Sequence, residues 1–195
     1  MELDTELLGR LRGGDEDAFV LLVGRYQRPM LRLARSMLPN DQVAEEAVQD
    51  TWMGVVRGID RFEQRSSFKT WLFRILVNRA RSAGAKEHQG PEIDGVSAVD
   101  PSNFDSKGEW AEPVESWVEE SVDRLDAATW LPVLVGALEE LPPRQRQVVG
   151  LRDVEGLTSD EVCEVLGISA GNQRLLLHRA RSRLREILDI EIRKA

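Results

Sequence analysis

Cysteine, histidine and positive net charge are what this chain of 195 residues has least of. Its only cysteine, Cys163, leaves no internal disulfide and no cysteine-based zinc site, and points to a reducing compartment, the cytoplasm. The two histidines, His88 and His178, stand far apart without metal-ligand spacing, and there is no glycine-rich phosphate loop. The expectation is therefore no catalytic residue, no metal and no cofactor. Long apolar runs are missing too. Phe19–Val23 and Leu131–Leu138 are far too short for a membrane span, so no membrane insertion is expected. The opening MELDTELL is acidic and has neither the basic nor the apolar region of a signal peptide.

A net charge of −8 argues at first against a nucleic-acid partner. Its distribution reverses that reading. The segment Glu87–Ala128 carries about ten more acids than bases, which leaves about +2 for everything else. The local field, not the total, decides whether a surface takes up phosphates.

Outside that segment the periodicity is mostly helical, with a break over Gly58–Ser67. Residues 1 to 14 read as a short lead-in or a first helical turn, with a break at Gly13-Gly14. Asp15 or Asp17 caps a helix carrying Ala18, Leu21, Leu22 and Tyr26, which Pro29 is expected to bend or restart. Asn40 or Asp41 caps the next one, Gln42 to about Arg57. It turns Val43, Ala47, Val48, Met53, Val55 and Val56 to a core and presents Glu45, Glu46, Gln49, Asp50 and Trp52. Such a face is either a solvated acidic surface or a protein interface. Residues 88 to about 128 mix Pro, Gly, Ser and acids, too long a stretch for a connection inside one compact unit. A domain boundary is expected there, with Trp110 and Trp117 as candidate anchors. From Val114 the pattern could become helical again. Trp130–Glu140 is the next apolar helix, with Pro132 in its first turn, and Pro143 is suited to open another.

Two stretches carry chemistry. In the first, Phe62, Phe68, Trp71 and Phe73 are interleaved with Arg61, Arg65, Lys69, Arg74, Arg79, Arg81 and Lys86. Rings beside cations suit single-stranded nucleic acid, where stacking contributes about 1–3 kcal/mol per base. Some of these rings are equally expected to be packing residues, Leu72, Phe73, Leu76 and Val77 facing a core. The second stretch is Thr158–Arg185. Thr158 with Glu161 forms a capping box, Gly167 ends that helix, and Ser169 caps another. So tight a corner is a helix-turn-helix pattern. Its second helix carries Arg174, His178, Arg179, Arg181, Arg183 and Arg185. A helix seated on one side and cationic on the other suits the major groove, although an ordinary basic surface helix reads the same way.

Three segments in order, DQVAEEAVQDTWMGVV, FEQRSSFKTWLFRILVNRAR and LEELPPRQRQVVGLRDVEGLTSDEVCEVLGIS followed by HRARSRLRE, resemble the extracytoplasmic-function (ECF) sigma factors of bacterial RNA polymerase. The resemblance implies an all-α chain of two small helical domains, sigma-two over 1–87 and sigma-four over 129–195, joined by a flexible acidic linker over 88–128. It implies no catalysis of its own. It implies as partners the polymerase core, through the clamp helices of the largest subunit and the flap of the second subunit, together with double- and single-stranded promoter DNA and an anti-sigma factor. The acidic linker is implied to thread the active-site cleft toward the RNA exit channel, where its charge would mimic RNA; a merely soluble tether has the same composition.

Residue roles follow from the same resemblance. Glu46, Gln49 and Asp50 match the core-binding motif. Phe62, Gln64, Arg65, Ser66 and Ser67 match the loop that captures a base flipped from the minus-ten element, an event costing a few kcal/mol that a shaped pocket must offset. Trp71 and Asn78 belong to the same surface, with Lys69, Arg74 and Arg79 on phosphates. Ser169, Asn172, Gln173, Arg174, His178 and Arg179 match the reader of the minus-thirty-five element. Here the chain departs from the family, since Leu175 and Leu176 replace two polar readers. Either Asn172 and Gln173 read bases on a slightly rotated helix, or the leucines touch thymine methyls. The alternative is a helix-turn-helix regulator that acts without polymerase, which leaves Phe62–Arg81 unexplained. An enzyme or a pure interaction protein fits the clustered arginines less well.

Overall fold

The structure, a computed structural model, describes residues 2–87 and 127–194. The acidic segment with Trp110, Trp117 and the helix expected from Val114 therefore lies outside the described residues. All described elements are helical. The N-terminal half holds α1 (Glu2–Arg12), α2 (Glu16–Arg35), α3 (Asp41–Gly58), a 3-10 turn (Ile59–Arg61) and α4 (Phe68–Glu87). The C-terminal half holds α5 (Ala127–Glu139), α6 (Pro143–Val149), a π-helical turn (Gly150–Val154), α7 (Ser159–Leu166) and α8 (Ala170–Lys194).

Residues 2–12 form a full helix, not a loose lead-in. Leu7 and Leu8 are buried, and Arg12 donates to the carbonyls of Ile59 (3.2 Å) and Phe62, so α1 holds the base of the 62–67 loop. Asp15 caps α2 by accepting from the Ala18 N–H at 3.2 Å. That helix continues through Pro29 and does not restart there. A proline inside a helix costs about 3 kcal/mol. Ala18, Leu22, Tyr26, Met30, Leu33 and Ala34 keep one apolar stripe in register on both sides of it. At about 1.5–3 kcal/mol for each large side chain buried, that stripe outweighs the penalty.

Asn40 caps α3 through the Val43 N–H at 2.9 Å. Ala44, Ala47, Val48, Thr51, Trp52 and Val55 form its buried face. Trp52 is not presented to solvent as the sequence suggested. Its indole N–H donates to Gln27 Oε1 at 2.7 Å, and its ring meets Phe19 edge-on at 5.5 Å. Met53 and Val56, expected in the core, are about half exposed instead. Successive helical residues point about 100° apart, so seating Trp52 and Val55 inward turns Met53 and Val56 out. α4 packs across α3 and buries Phe68, Leu72, Phe73, Leu76, Val77 and Ala80.

In the C-terminal half, α5 starts at Ala127, ahead of the Trp130 expected, and Pro132 lies inside it. α6 opens on Pro143, as the sequence indicated. Ala137, Leu141, Val149, Ala180 and Leu184 join α5, α6 and α8 in a small core. Val148, Leu151, Leu157, Val162, Val165 and Leu166 belong to the larger core that α1–α4 build. The two halves thus close on one another, with α7 lying along α4.

Candidate nucleic-acid interface

The loop between the 3-10 turn and α4 is built around stacked rings. Phe62 lies against Trp71 with centroids 4.7 Å apart and planes 26° from parallel. Phe68 sits edge-on to Phe62 at 6.2 Å and to Tyr26 at 5.7 Å. Phe62 is only 7% exposed, so this ring, expected at the base-capturing surface, is a packing residue that stiffens the loop. Trp71 is half-buried beside it. The rings are a floor, and the loop stands on that floor. Glu63, Gln64 and Arg65 are exposed at its crest, with Arg65 Nε on Glu63 at 2.6 Å. Gln64 has φ 56°, a left-handed conformation uncommon for a residue with a side chain. Strain of this kind is characteristic of binding loops.

Ser67 closes the loop and starts α4. Its hydroxyl accepts from the Thr70 N–H at 3.1 Å and lies 2.7 Å from the Thr70 hydroxyl. Beyond it, Arg74, Asn78 and Arg79 are exposed on α4. Ser66 and Lys69 are half-buried. Apart from Phe62, the minus-ten candidates are thus at least partly exposed on the loop and α4, with Arg74 on the side of α7 and Arg79 on the side of α3.

The helix-turn-helix forms as its sequence implies. The Thr158 hydroxyl accepts from the Glu161 N–H at 3.2 Å, and the Glu161 carboxylate accepts from the Thr158 N–H at 2.9 Å. Gly167 ends α7 in the left-handed region at φ 60°, where a side chain would be strained. The Ser169 hydroxyl accepts from the Asn172 N–H at 3.2 Å and caps α8. Along α8, Arg174, Arg179, Arg183 and Arg185 are exposed, and Asn172 and His178 are half-exposed. Burial and then the nearby Arg179 hold His178 below its ordinary value of 6.5. Arg181 forms a two-pronged pair with Asp153 at 2.7 and 2.9 Å.

Two expectations for this helix are corrected. Gln173 is 1% exposed, so in this arrangement it cannot reach a base edge. Leu175 is also buried, so it is not presented to a thymine methyl. The burial of Gln173 follows from seating α8 on Ala180 and Leu184, which share its face. That rotation leaves Arg174 and His178 on the outer face.

The cations of α4 have partners that sequence reasoning missed. Glu161 Oε1 accepts from Thr70 Oγ1 at 2.6 Å and from Ser67 Oγ at 3.1 Å. Arg74 pairs with Glu164 at 2.6 Å. Glu155 pairs with Arg32 at 2.7 Å and Lys69 at 3.4 Å, while its carbonyl accepts from Lys69. Arg81 donates to the Leu166 carbonyl, and Gln147 Nε2 to the Ser36 carbonyl at 3.1 Å. Burial raises the Glu161 carboxyl, but the hydrogen bonds from Thr70, Thr158 and Ser67 outweigh it and the net shift is downward from 4.5. The capping box was legible in the sequence, whereas its second use, across the halves, had no local signal.

On α3 the acid-amide face is exposed as expected, with Glu45, Glu46, Gln49 and Asp50 outward. Met53 and Val56 extend it with apolar surface. Among the described residues no helix is long and apolar enough to cross a membrane.

Comparison with known proteins gives a consistent set of likenesses. Residues 22–88 match the model for sigma-70 region 2, and residues 133–184 match that for sigma-70 region 4. The ECF RNA polymerase sigma-E factors of Salmonella typhimurium strain LT2 and Escherichia coli strain K12 are each 31% identical over 181 residues, 91% of this chain and 90% of theirs. The one from Haemophilus influenzae is 27% identical, with 91% of each chain covered. Among solved structures, the sigma factor RpoE of Bartonella quintana, crystallised with the anti-sigma factor NepR, superposes with a TM-score of 0.53 at 26% identity, covering 88% of this chain and 97% of that one. CnrH, in complex with the cytosolic domain of CnrY, shares the fold with a TM-score of 0.57 at 24% identity, covering 96% of this chain and 98% of that one.

Proposed function

Because the chain belongs to the ECF group of the sigma-70 family, we propose that it binds the core of bacterial RNA polymerase and directs initiation at specific promoters, melting the minus-ten element and reading the minus-thirty-five element. The observation that carries this reading is the pairing, in one chain, of a strained polar loop on an aromatic floor with a cationic helix-turn-helix. A regulator that binds duplex DNA without polymerase needs only the second.

The roles divide by chemistry. Gln64 and Arg65 at the loop crest, with Ser66, Ser67 and Asn78 beside them, present the hydrogen-bonding groups a flipped base requires. Trp71 offers the half-exposed ring nearest the loop, backed by Phe62. Lys69, Arg74 and Arg79 take phosphates. On α8, Ser169 and Asn172 lie at the helix start, where N–H groups attract a phosphate. Arg174 is the base reader, since its fork matches guanine, and His178 and Arg179 support it along the groove. Gln173 holds the helix in place from within. The core-binding face is Glu46, Gln49 and Asp50, extended by Met53 and Val56, whose mixed character suits a protein partner. An anti-sigma factor is a further partner, and the cytoplasm is the compartment where such a chain meets polymerase. We assign it no catalytic reaction; the phosphodiester chemistry belongs to polymerase.

Run-off transcription with core polymerase on a library of randomised promoters tests this directly. Promoter-dependent transcripts carrying two selected elements are expected. Absence of transcripts, together with no association with core at low salt, would refute it.

A further inference from the structure

One side chain of α1 grips the base of the 62–67 loop. Arg12, the last residue of that helix, donates from Nε to the Ile59 carbonyl at 3.2 Å and from Nη2 to the Phe62 carbonyl. The Ile59 carbonyl also accepts from the Phe62 N–H at 3.2 Å, which closes the 3-10 turn. Phe62 is the residue from which the loop leaves for its crest, where Gln64 holds φ 56°. Its ring is stacked on Trp71 with centroids 4.7 Å apart. The departure point is therefore fixed twice, the carbonyl by Arg12 and the ring by Trp71.

The helix can serve as a strut because its own position is set elsewhere. Leu7 and Leu8 are buried. Asp4 accepts from the Tyr26 hydroxyl and from Arg25, each at 2.6 Å, and Arg10 pairs with Asp15 at 2.8 Å in the corner leading to α2.

We propose that Arg12 is a positioning residue for base capture, its grip on the Ile59 and Phe62 carbonyls holding the loop crest in the shape that distinguishes the flipped base of the minus-ten element. The proposal rests on the reading of this loop as the base-capturing element. Arg12 meets no base itself and acts through the Phe62 backbone. A guanidinium is a rigid fork of donors that spans two acceptors, whereas an ammonium is a point charge. A left-handed residue with a side chain, such as Gln64, persists only where its surroundings over-determine it. Loss of the grip relaxes the crest and leaves the core of α2, α3 and α4 in place, since Arg12 lies outside that core.

The test uses holoenzyme, the full chain bound to core polymerase. Its probes are fluorescent single strands carrying the minus-ten sequence selected in the run-off experiment, and the same strands with each other base at the position the parent discriminates most. Arg12→Ala is expected to weaken binding of the selected strand about tenfold, the scale of lost charge-assisted hydrogen bonds. The substituted strands are expected to keep their parent affinities, so discrimination at that position falls by the same factor. Arg12→Lys keeps the charge without the fork and is expected to lose discrimination as well. General destabilisation lowers all the affinities together and preserves their ratio; that outcome overturns the proposal, as does parent-like discrimination in both variants. A lysine variant that discriminates like the parent while the alanine variant does not also overturns it, because charge alone then suffices. If the alanine variant loses helical circular dichroism, the lysine variant decides by the same ratio. A parent holoenzyme that binds every strand alike counts against the reading of the loop instead, so the two failures are distinguishable.

Discussion

The two cationic helices of this molecule, α4 and α8, have similar composition and opposite circumstances. On α4, Lys69 and Arg74 meet acids from the other half of the chain. On α8, Arg174, Arg179, Arg183 and Arg185 are exposed. One candidate nucleic-acid surface lies against acids of a helix from the other half, and the other, apart from the Arg181–Asp153 pair, is turned outward. A count of arginines therefore says what a surface can bind but not when it is available. Availability is set by which face of a neighbouring helix lies across it.

The comparison can be broken most forcefully from below. Phe73 is fully buried under α4. Phe73→Ala is expected to cost about 3–5 kcal/mol, read as a large fall in the thermal unfolding midpoint and loss of promoter melting. Next in size is Arg174→Ala on the open surface. It should lose about 1–3 kcal/mol of discrimination at one position of the minus-thirty-five element in duplex titrations, with no change in strand binding by the α4 surface. Gly167→Ala, at the left-handed corner between α7 and α8, is expected to cost about 1–2 kcal/mol, visible as a lowered chemical denaturation midpoint.

The smallest effect is in pH. Glu161 has a folded-state value below its ordinary 4.5, so its contribution is full above that value and is lost as pH falls through the folded one. Denaturation followed between pH 6 and pH 3 (about the range where carboxylates titrate) should show this loss. Glu161→Gln should flatten that part of the profile.

Local features were legible where one turn of helix decides them. Asp15, Asn40, the Thr158–Glu161 box, Gly167 and Ser169 all act at the positions their neighbours imply. What failed were choices between adjacent helical positions. Trp52 against Met53, and Gln173 against Arg174, differ by about 100° of rotation, and tertiary contact decides which faces inward. Phe62 failed for a related reason: a ring in a polar loop looks like a binding group until Phe68 and Trp71 close around it. The helix through Pro29 overrode a local penalty with a long-range apolar stripe. The pairing of Glu155, Glu161 and Glu164 with α4 joins residues 86 to 94 positions apart and left no periodic trace.

The most direct test of the account is the distance between spin labels at the exposed positions Asp60 and Asp160, in a chain carrying Cys163→Ser, measured free and with polymerase core. The free chain is expected to give one short, narrow distance that lengthens on core binding, in a labelled chain that still initiates at its promoter. A chain that initiates while keeping the short distance would contradict it.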